Sequence, residues 1–143
     1  MDLSTSRSWS LQRRIEHNHQ ILMLNAKVWF HPTSDPHRYV YEEKGCVGGS
    51  VGGSVGGSTF TQKYNYVIQS NGDIHVLRDD DSMFFVFNPK ILGSDQTYVH
   101  YCLDDTYDIK ITLINEGEFM ISYSIVGPYK DYSIQNRYTI RNN

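Results

Sequence analysis

The chain has 143 residues, 20% of them charged, and a formal net charge of −3. That length sets an expectation of a single domain over residues 1–143 with a core of its own, and the charge offers no basic field for nucleic acid or an anionic membrane surface. No apolar run approaches the roughly 20 residues needed to cross a bilayer as a helix.

The first eight residues lack an apolar signal segment, and two cysteines, Cys46 and Cys102, are too few for a disulfide framework. These features lead us to expect a soluble, cytoplasmic protein in a reduced compartment. Aromatics are the outlier, with 11 Tyr, 6 Phe and 2 Trp. Such side chains suit pleated, half-buried surfaces. Many recur at a spacing of two (Tyr39/Tyr41, Tyr64/Tyr66, Phe85/Phe87), which is the period of a β-strand.

Residues 7–15 alternate Trp9, Leu11, Arg13 and Ile15 against Ser8, Ser10, Gln12 and Arg14, the pattern of a first strand. After the polar turn His17–Gln20, a second strand is expected over 21–30, stopped by Pro32 and Pro36, and a third over 38–44. Three copies of Val-Gly-Gly-Ser then fill residues 47–58. Such a repeat buries too little apolar area to offset its backbone entropy, so a flexible Gly/Ser-rich loop is expected over 46–58. It is either a natural low-complexity expansion or an engineered insert. A phosphate-binding loop would need a helix after it, and no helical pattern follows.

Further strands are expected over 60–69, 74–78, 83–87, 98–103, 105–114, 118–126 and 133–141. Asn71-Gly72 and Asn115-Glu116-Gly117 mark tight hairpins. The fold class is all-β. A meander of about 8–10 short strands closes most economically into a single antiparallel up-and-down barrel, with a sandwich as the alternative. Interior positions are expected at Trp9, Phe30, Tyr41, Tyr66, Phe85, Tyr107, Ile109, Ile111, Ile121 and Tyr123.

Several motifs carry a family resemblance. They are Trp9-x-Leu11-x-Arg13-x-Ile15, Ala26-x-Val28-x-Phe30, Tyr41-Glu42-x-x-Gly45 and Tyr64-x-Tyr66, followed by His100-x-Cys102-x-x-Asp105-x-Tyr107, Gly127-Pro128-x-Lys130-Asp131-Tyr132 and Tyr138-x-x-Arg141. In these the chain resembles the small barrel proteins of domain-of-unknown-function family 6314. The resemblance implies a calycin-type, lipocalin-like barrel and leaves the chemistry open, because fold does not fix function. Two features depart from the family pattern. Tyr101 and Leu103 stand where the family favours Pro and Gly, which implies an altered turn after Cys102, and the Val-Gly-Gly-Ser repeat is not a family feature.

His100 and Cys102 share a strand face, and Asp105 and Tyr107 match the parity of Ile109, Ile111 and Leu113. A break at Leu103-Asp104 would let these four side chains converge at the barrel mouth. They then read as a hydrogen-bonded plug, a ligand clamp, or a Cys/His pair oriented by Asp. A thiol nucleophile needs an electropositive pocket, and Asp104, Asp105 and Asp108 make this one acidic. Lys130 and Tyr132 could contact a ligand, or Lys130 could pair with Asp131 or Asp105 while Tyr132 caps the core. Arg13 and Arg141 alternate with apolar residues and could face inward, with Glu42 and Asp105 as the best carboxylate partners.

Metal ligation finds no second pair at zinc spacing beside His17/His19 and His100/Cys102. Haem would need one axial histidine, with His31, His37, His75 and His100 as candidates. The expected function is a non-catalytic barrel that binds a small, mostly apolar ligand through His100, Cys102, Asp105, Tyr107, Lys130, Tyr132, Arg13 and Arg141. The alternatives are a filled barrel that docks a partner protein, and a hydrolase or transferase using Cys102.

Overall fold

The computed structural model describes residues 1–47 and 58–142. Its strands are β1 (Trp9–His17), β2 (Gln20–Pro32), β3 (Arg38–Val47), β4 (Thr59–Ile68), β5 (Ile74–Arg78), β6 (Met83–Phe87), β7 (Asp95–Cys102), β8 (Asp105–Asn115), β9 (Glu118–Val126) and β10 (Asp131–Ile140). Every pairing is antiparallel, and the order along the single sheet is β6-β5-β4-β3-β2-β1-β10-β9-β8-β7. The all-β antiparallel barrel expected from the alternation is therefore what forms.

Pairing of β1 with β10 brings the two ends of the meander together, from Trp9 opposite Ile140 to His17 opposite Tyr132. The two remaining edges, β6 and β7, face each other without a backbone ladder between them. Gln96 bridges this seam by hydrogen bonds: it accepts from the Asn88 amide at 2.7 Å and donates to the Asn88 carbonyl at 2.8 Å. A side-chain amide thus substitutes for a missing rung, which blunts two edges that would otherwise invite pairing with another chain.

The β6 side of this seam carries a bulge in its ladder with β5. Val76 pairs with Phe85 and Leu77 with Met83, so Phe84 is the extra residue on β6. An extra residue re-aims the side chains around it, and Phe84 is buried beside Phe85 rather than alternating with it. Its ring stacks on Tyr64 and Tyr123, each at 5.7 Å between centroids, and meets His100 and Tyr107 edge-on from across the seam.

The core follows the period of two. Trp9, Phe30, Tyr41, Tyr66, Phe85, Ile109, Ile111 and Ile121 are all buried, whereas Tyr107 and Tyr123 are partly buried and pack against that core. Gly45 faces inward opposite Phe60, and an added Cβ would lie 2.5 Å from the Asn25 carbonyl and 2.7 Å from the Phe60 ring. The glycine lets Phe60 lie across β3.

One end of the barrel is closed by the N-terminal segment, a feature the alternation did not point to. Leu3 is buried, and the Met1 ammonium reaches Glu116 in the β8–β9 turn at 2.8 Å. The opposite end carries the turns β1–β2, β5–β6, β7–β8 and β9–β10 and forms the mouth. The flexible loop expected over 46–58 is shortened at its start, since Cys46 and Val47 belong to β3 and Val47 donates to the Ser58 carbonyl at 2.9 Å. The rest of that expectation, 48–57, lies outside the described residues.

At the mouth, β7 and β8 are joined by Leu103 and Asp104 alone, and Leu103 has φ 55°. A two-residue hairpin with positive φ at its first position favours glycine. Leucine holds that conformation here, so the turn carries local strain. Replacing Leu103 with Gly is expected to raise stability by about 1 kcal/mol, the order of the left-handed penalty for an L-residue. Urea denaturation of both proteins checks this; a lower midpoint for Leu103→Gly would locate the strain elsewhere.

Candidate functional site

A cavity of about 240 Å³ occupies the mouth half of the barrel, below the rim. Its floor is polar. Arg13 on β1 donates through Nη1 and Nη2 to the two oxygens of Glu43 on β3, at 2.9 and 3.0 Å, and through Nε to Oδ1 of Asn136 on β10 at 2.6 Å. The Tyr41 hydroxyl donates to Glu43 Oε1 at 2.7 Å and lies 3.0 Å from the Tyr138 hydroxyl.

Glu43 is fully buried, with 0% exposure. A lone carboxylate there would face a large desolvation penalty, which the bidentate guanidinium offsets. Burial also opposes the Arg13 charge, but the hydrogen bonds and charge of Glu43 outweigh it and hold Arg13 above its ordinary value.

The wall is aromatic and aliphatic, formed by Tyr64, Phe84, Tyr107, Tyr123, Ile125 and Ile134. Burial raises the pKa of Tyr64 to about 12 and pushes Tyr41, Tyr66, Tyr123 and Tyr138 well above their ordinary value. All five remain neutral hydroxyls at physiological pH.

One more charge enters the wall. Arg78, the last residue of β5, places its guanidinium 4.8 Å from the Phe84 ring centroid, and its Nη2 lies 3.2 Å from Nε2 of His100. Arginine only donates, so Nε2 of His100 accepts and the ring carries its proton on Nδ1. Burial, and then the Arg78 charge, lower the His100 pKa. His100 is therefore neutral at physiological pH.

The residues singled out in the sequence fall in three places. Arg13, Tyr107 and Tyr132 line the cavity, and His100 touches both Tyr107 and Arg78 at its edge. Asp105 and Lys130 pair at the rim, Nζ to Oδ2 at 2.9 Å, and the Asp105 hydrogen bond raises the Lys130 pKa. Asp105 packs so closely on Gly127 that a Cβ there would lie 2.0 Å from its Oδ1. Cys102 is a half-buried free thiol ending β7 opposite Asp105, and no His100–Cys102 hydrogen bond joins them among the described residues. The four motif residues therefore split, with His100 and Tyr107 at the cavity and Asp105 at the rim pair.

Two expectations are corrected. The partner of Arg13 is Glu43, not Glu42 or Asp105: Glu42 is on the outer face beside His31, Lys44 and Lys63. Arg141 does not face inward; it is exposed just past β10, its Nη1 3.4 Å from Ser10 Oγ. Of the histidines weighed as haem ligands, His31 bonds Glu42 on the outer face and His37 lies in an exposed turn, while His75 alternates with inward-facing Ile74 and Val76. His100 borders the cavity with Nε2 engaged by Arg78. Sequence reading missed Arg78, Glu43 and Asn136, although the parity of Ile74/Val76, Tyr39/Tyr41 and Tyr138 points each of them inward.

A second depression, of about 540 Å³, runs over the β7–β10 side of the barrel. The polar groups there, such as Asp108, Lys110, Ser122 and Gln135, are spread over the outer faces of successive strands instead of converging. Among the described residues, no three His, Cys, Asp or Glu side chains gather as a metal site.

In comparison with known protein families, residues 6–140 match a family of unknown function, DUF6314. No curated protein shows significant similarity to the chain.

Two outcomes follow from the floor and wall. Glu43→Gln leaves the buried Arg13 charge without its anion and is expected to cost about 3–5 kcal/mol, whereas the joint Arg13→Met/Glu43→Leu exchange costs much less. Denaturant melts of the single and double variants decide this, and an equal loss in both would mean that the pair is not the unit. Alkaline pH should also act. Unfolded tyrosines ionise near their ordinary value of about 10 while these five hold their protons, so stability is full below about pH 10 and falls as pH rises towards about 12. In a pH titration, tyrosinate absorbance from these rings should appear only with unfolding.

Proposed function

The chain belongs to this family of unknown function, and from that premise, which fixes no activity, we propose that the barrel is a non-catalytic binding module holding one small ligand in its interior cavity. The observation that carries this reading is that the mouth half of the barrel is left unfilled above a satisfied polar floor. A barrel of this kind can fill its interior with side chains, as the closed half here does around Trp9, Phe119 and Tyr138. Leaving space above them forgoes packing energy that a ligand would restore.

The size of the space sets the size of the ligand. Ligand pockets run from about 300 to 1,000 Å³ for drug-sized molecules, while engineered cavities of about 150 Å³ accept benzene. A volume of about 240 Å³ suits one ring with a few further atoms. Aromatic walls would supply most of the contact area, and the floor a few fixed donors and acceptors. The expected apolar ligand is thus narrowed to one with a polar end. A Cys102 nucleophile draws less support, because the neighbouring histidine directs Nε2 to Arg78.

Protein purified from its natural source is expected to retain one small molecule in native mass spectrometry. Ile134→Trp, which fills the cavity from β10, is expected to release it while the far-UV circular dichroism stays that of a β-barrel. Should the wild type carry no bound molecule, and small aromatic probes leave its cavity resonances unmoved, the barrel is a filled scaffold and this reading is wrong.

A further inference from the structure

The charges inside the barrel do not cancel. Arg13 is neutralised by Glu43, and Lys130 at the rim by Asp105. Arg78 has no carboxylate within salt-bridge distance among the described residues, and residues 48–57 contain only Gly, Ser and Val. The acidic turn after β5 is held mainly by other partners: Asp80 bonds Ser82 and feels the Arg78 charge only beyond salt-bridge distance, while Asp81 bonds Arg38 and Asn65, and Asp79 is exposed. The contact that holds the Arg78 head is a neutral histidine nitrogen, which uses one of the five guanidinium donors.

We propose, resting on the reading of the cavity as a ligand site, that the ligand is a small organic acid: a carboxylate on a planar apolar body, with its charge taken by Arg78. Three features select this class. A guanidinium held over the Phe84 face presents a rigid fork that matches a carboxylate with two parallel hydrogen bonds. The wall beside it, Tyr107, Tyr123, Ile125 and Ile134, is suited to a ring or short hydrocarbon. The floor already satisfies its own charges, so a ligand with a cationic end finds no free anion, while an anionic end finds one free cation among the described residues. Arg78 also lies at the end of β5 towards the mouth, where an acid entering from solvent meets it without first shedding all its water.

The test uses the full chain and two matched pairs of probes, benzoate with benzamide and phenylacetate with phenylacetamide, titrated by calorimetry and by amide NMR. Each acid is expected to bind the wild type about tenfold tighter than its amide or more, as charge-assisted hydrogen bonds imply, and the preference should shrink with added salt. Arg78→Gln should erase the preference while amide affinity stays within about threefold, and Arg78→Lys should restore part of it. Equal affinity of acid and amide in the wild type overturns the proposal but leaves the cavity reading standing, as does a preference that survives Arg78→Gln. If no probe of either kind moves the resonances of the cavity wall, both fall together. The wild-type comparison and its salt dependence decide the matter even if Arg78→Gln does not fold.

Discussion

The buried pairing of Arg13 with Glu43 is the constraint on which the rest of the interior depends. A charged pair taken this far from water needs its donors and acceptors answered, and here the groups that answer it come from three strands. Arg13 arrives on β1, the Tyr41 hydroxyl on β3 beside Glu43 itself, and Asn136 on β10 closes the guanidinium from the other side. These positions meet only if β1 lies between β2 and β10 in the observed register, with Arg13 opposite Asn136. A slip of one residue in either ladder would turn a charged group out of the barrel and leave its partner buried alone. Buried ion pairs add little net stability compared with apolar substitutes. Their effect here is on register and on filling: a polar plate across the barrel, with packed aromatics on one side and open space on the other.

Closure of the barrel and construction of the cavity wall are the same event. The bulge that frees Phe84 from the β5–β6 ladder turns its ring inward at the seam where no backbone rungs exist. There it touches Tyr64 on β4, Tyr107 on β8, Tyr123 on β9 and His100 on β7, so one ring ties the two sheet edges together. Gln96 repeats the arrangement nearer the closed end with hydrogen bonds in place of stacking. A ligand in the cavity would therefore rest against the least regular part of the sheet. Local opening is expected first where backbone hydrogen bonds are fewest.

Much of the fold was legible because alternation is a local signal. Trp9-x-Leu11 and Ile109-x-Ile111-x-Leu113 declare their buried faces without any knowledge of partners, and all five side chains are buried. The same signal, carried further, also reaches the floor: Tyr39 and Tyr41 face inward, so Glu43 must as well, and Glu42 cannot. That parity rules out Glu42 as the partner of Arg13. Arg78 is subtler, because it ends its strand next to three aspartates and reads as part of an exposed acidic turn. What alternation cannot supply is the bulge at Phe84, since two adjacent inward side chains break the rule by which inward positions are recognised. Nor can it place Leu3, whose burial depends on a chain terminus folding back across the end of the barrel.

The rim shows why motif residues and site residues need not coincide. The Asp105–Lys130 pair joins the start of β8 to the β9–β10 turn, and Gly127 gives Asp105 the space to lie flat against that turn. Half-exposed, the pair is worth little as an ion pair in water, but it neutralises both charges at the entrance and so leaves the interior field to what lies deeper. Below it, the tyrosines stay protonated, His100 stays neutral and Glu43 answers Arg13. Among the described residues, Arg78 is then the cavity-lining charge that no carboxylate pairs. A single unpaired cation against an aromatic face, in a partly enclosed space, is screened less by solvent than a fully exposed arginine, so its pull on an anion is stronger.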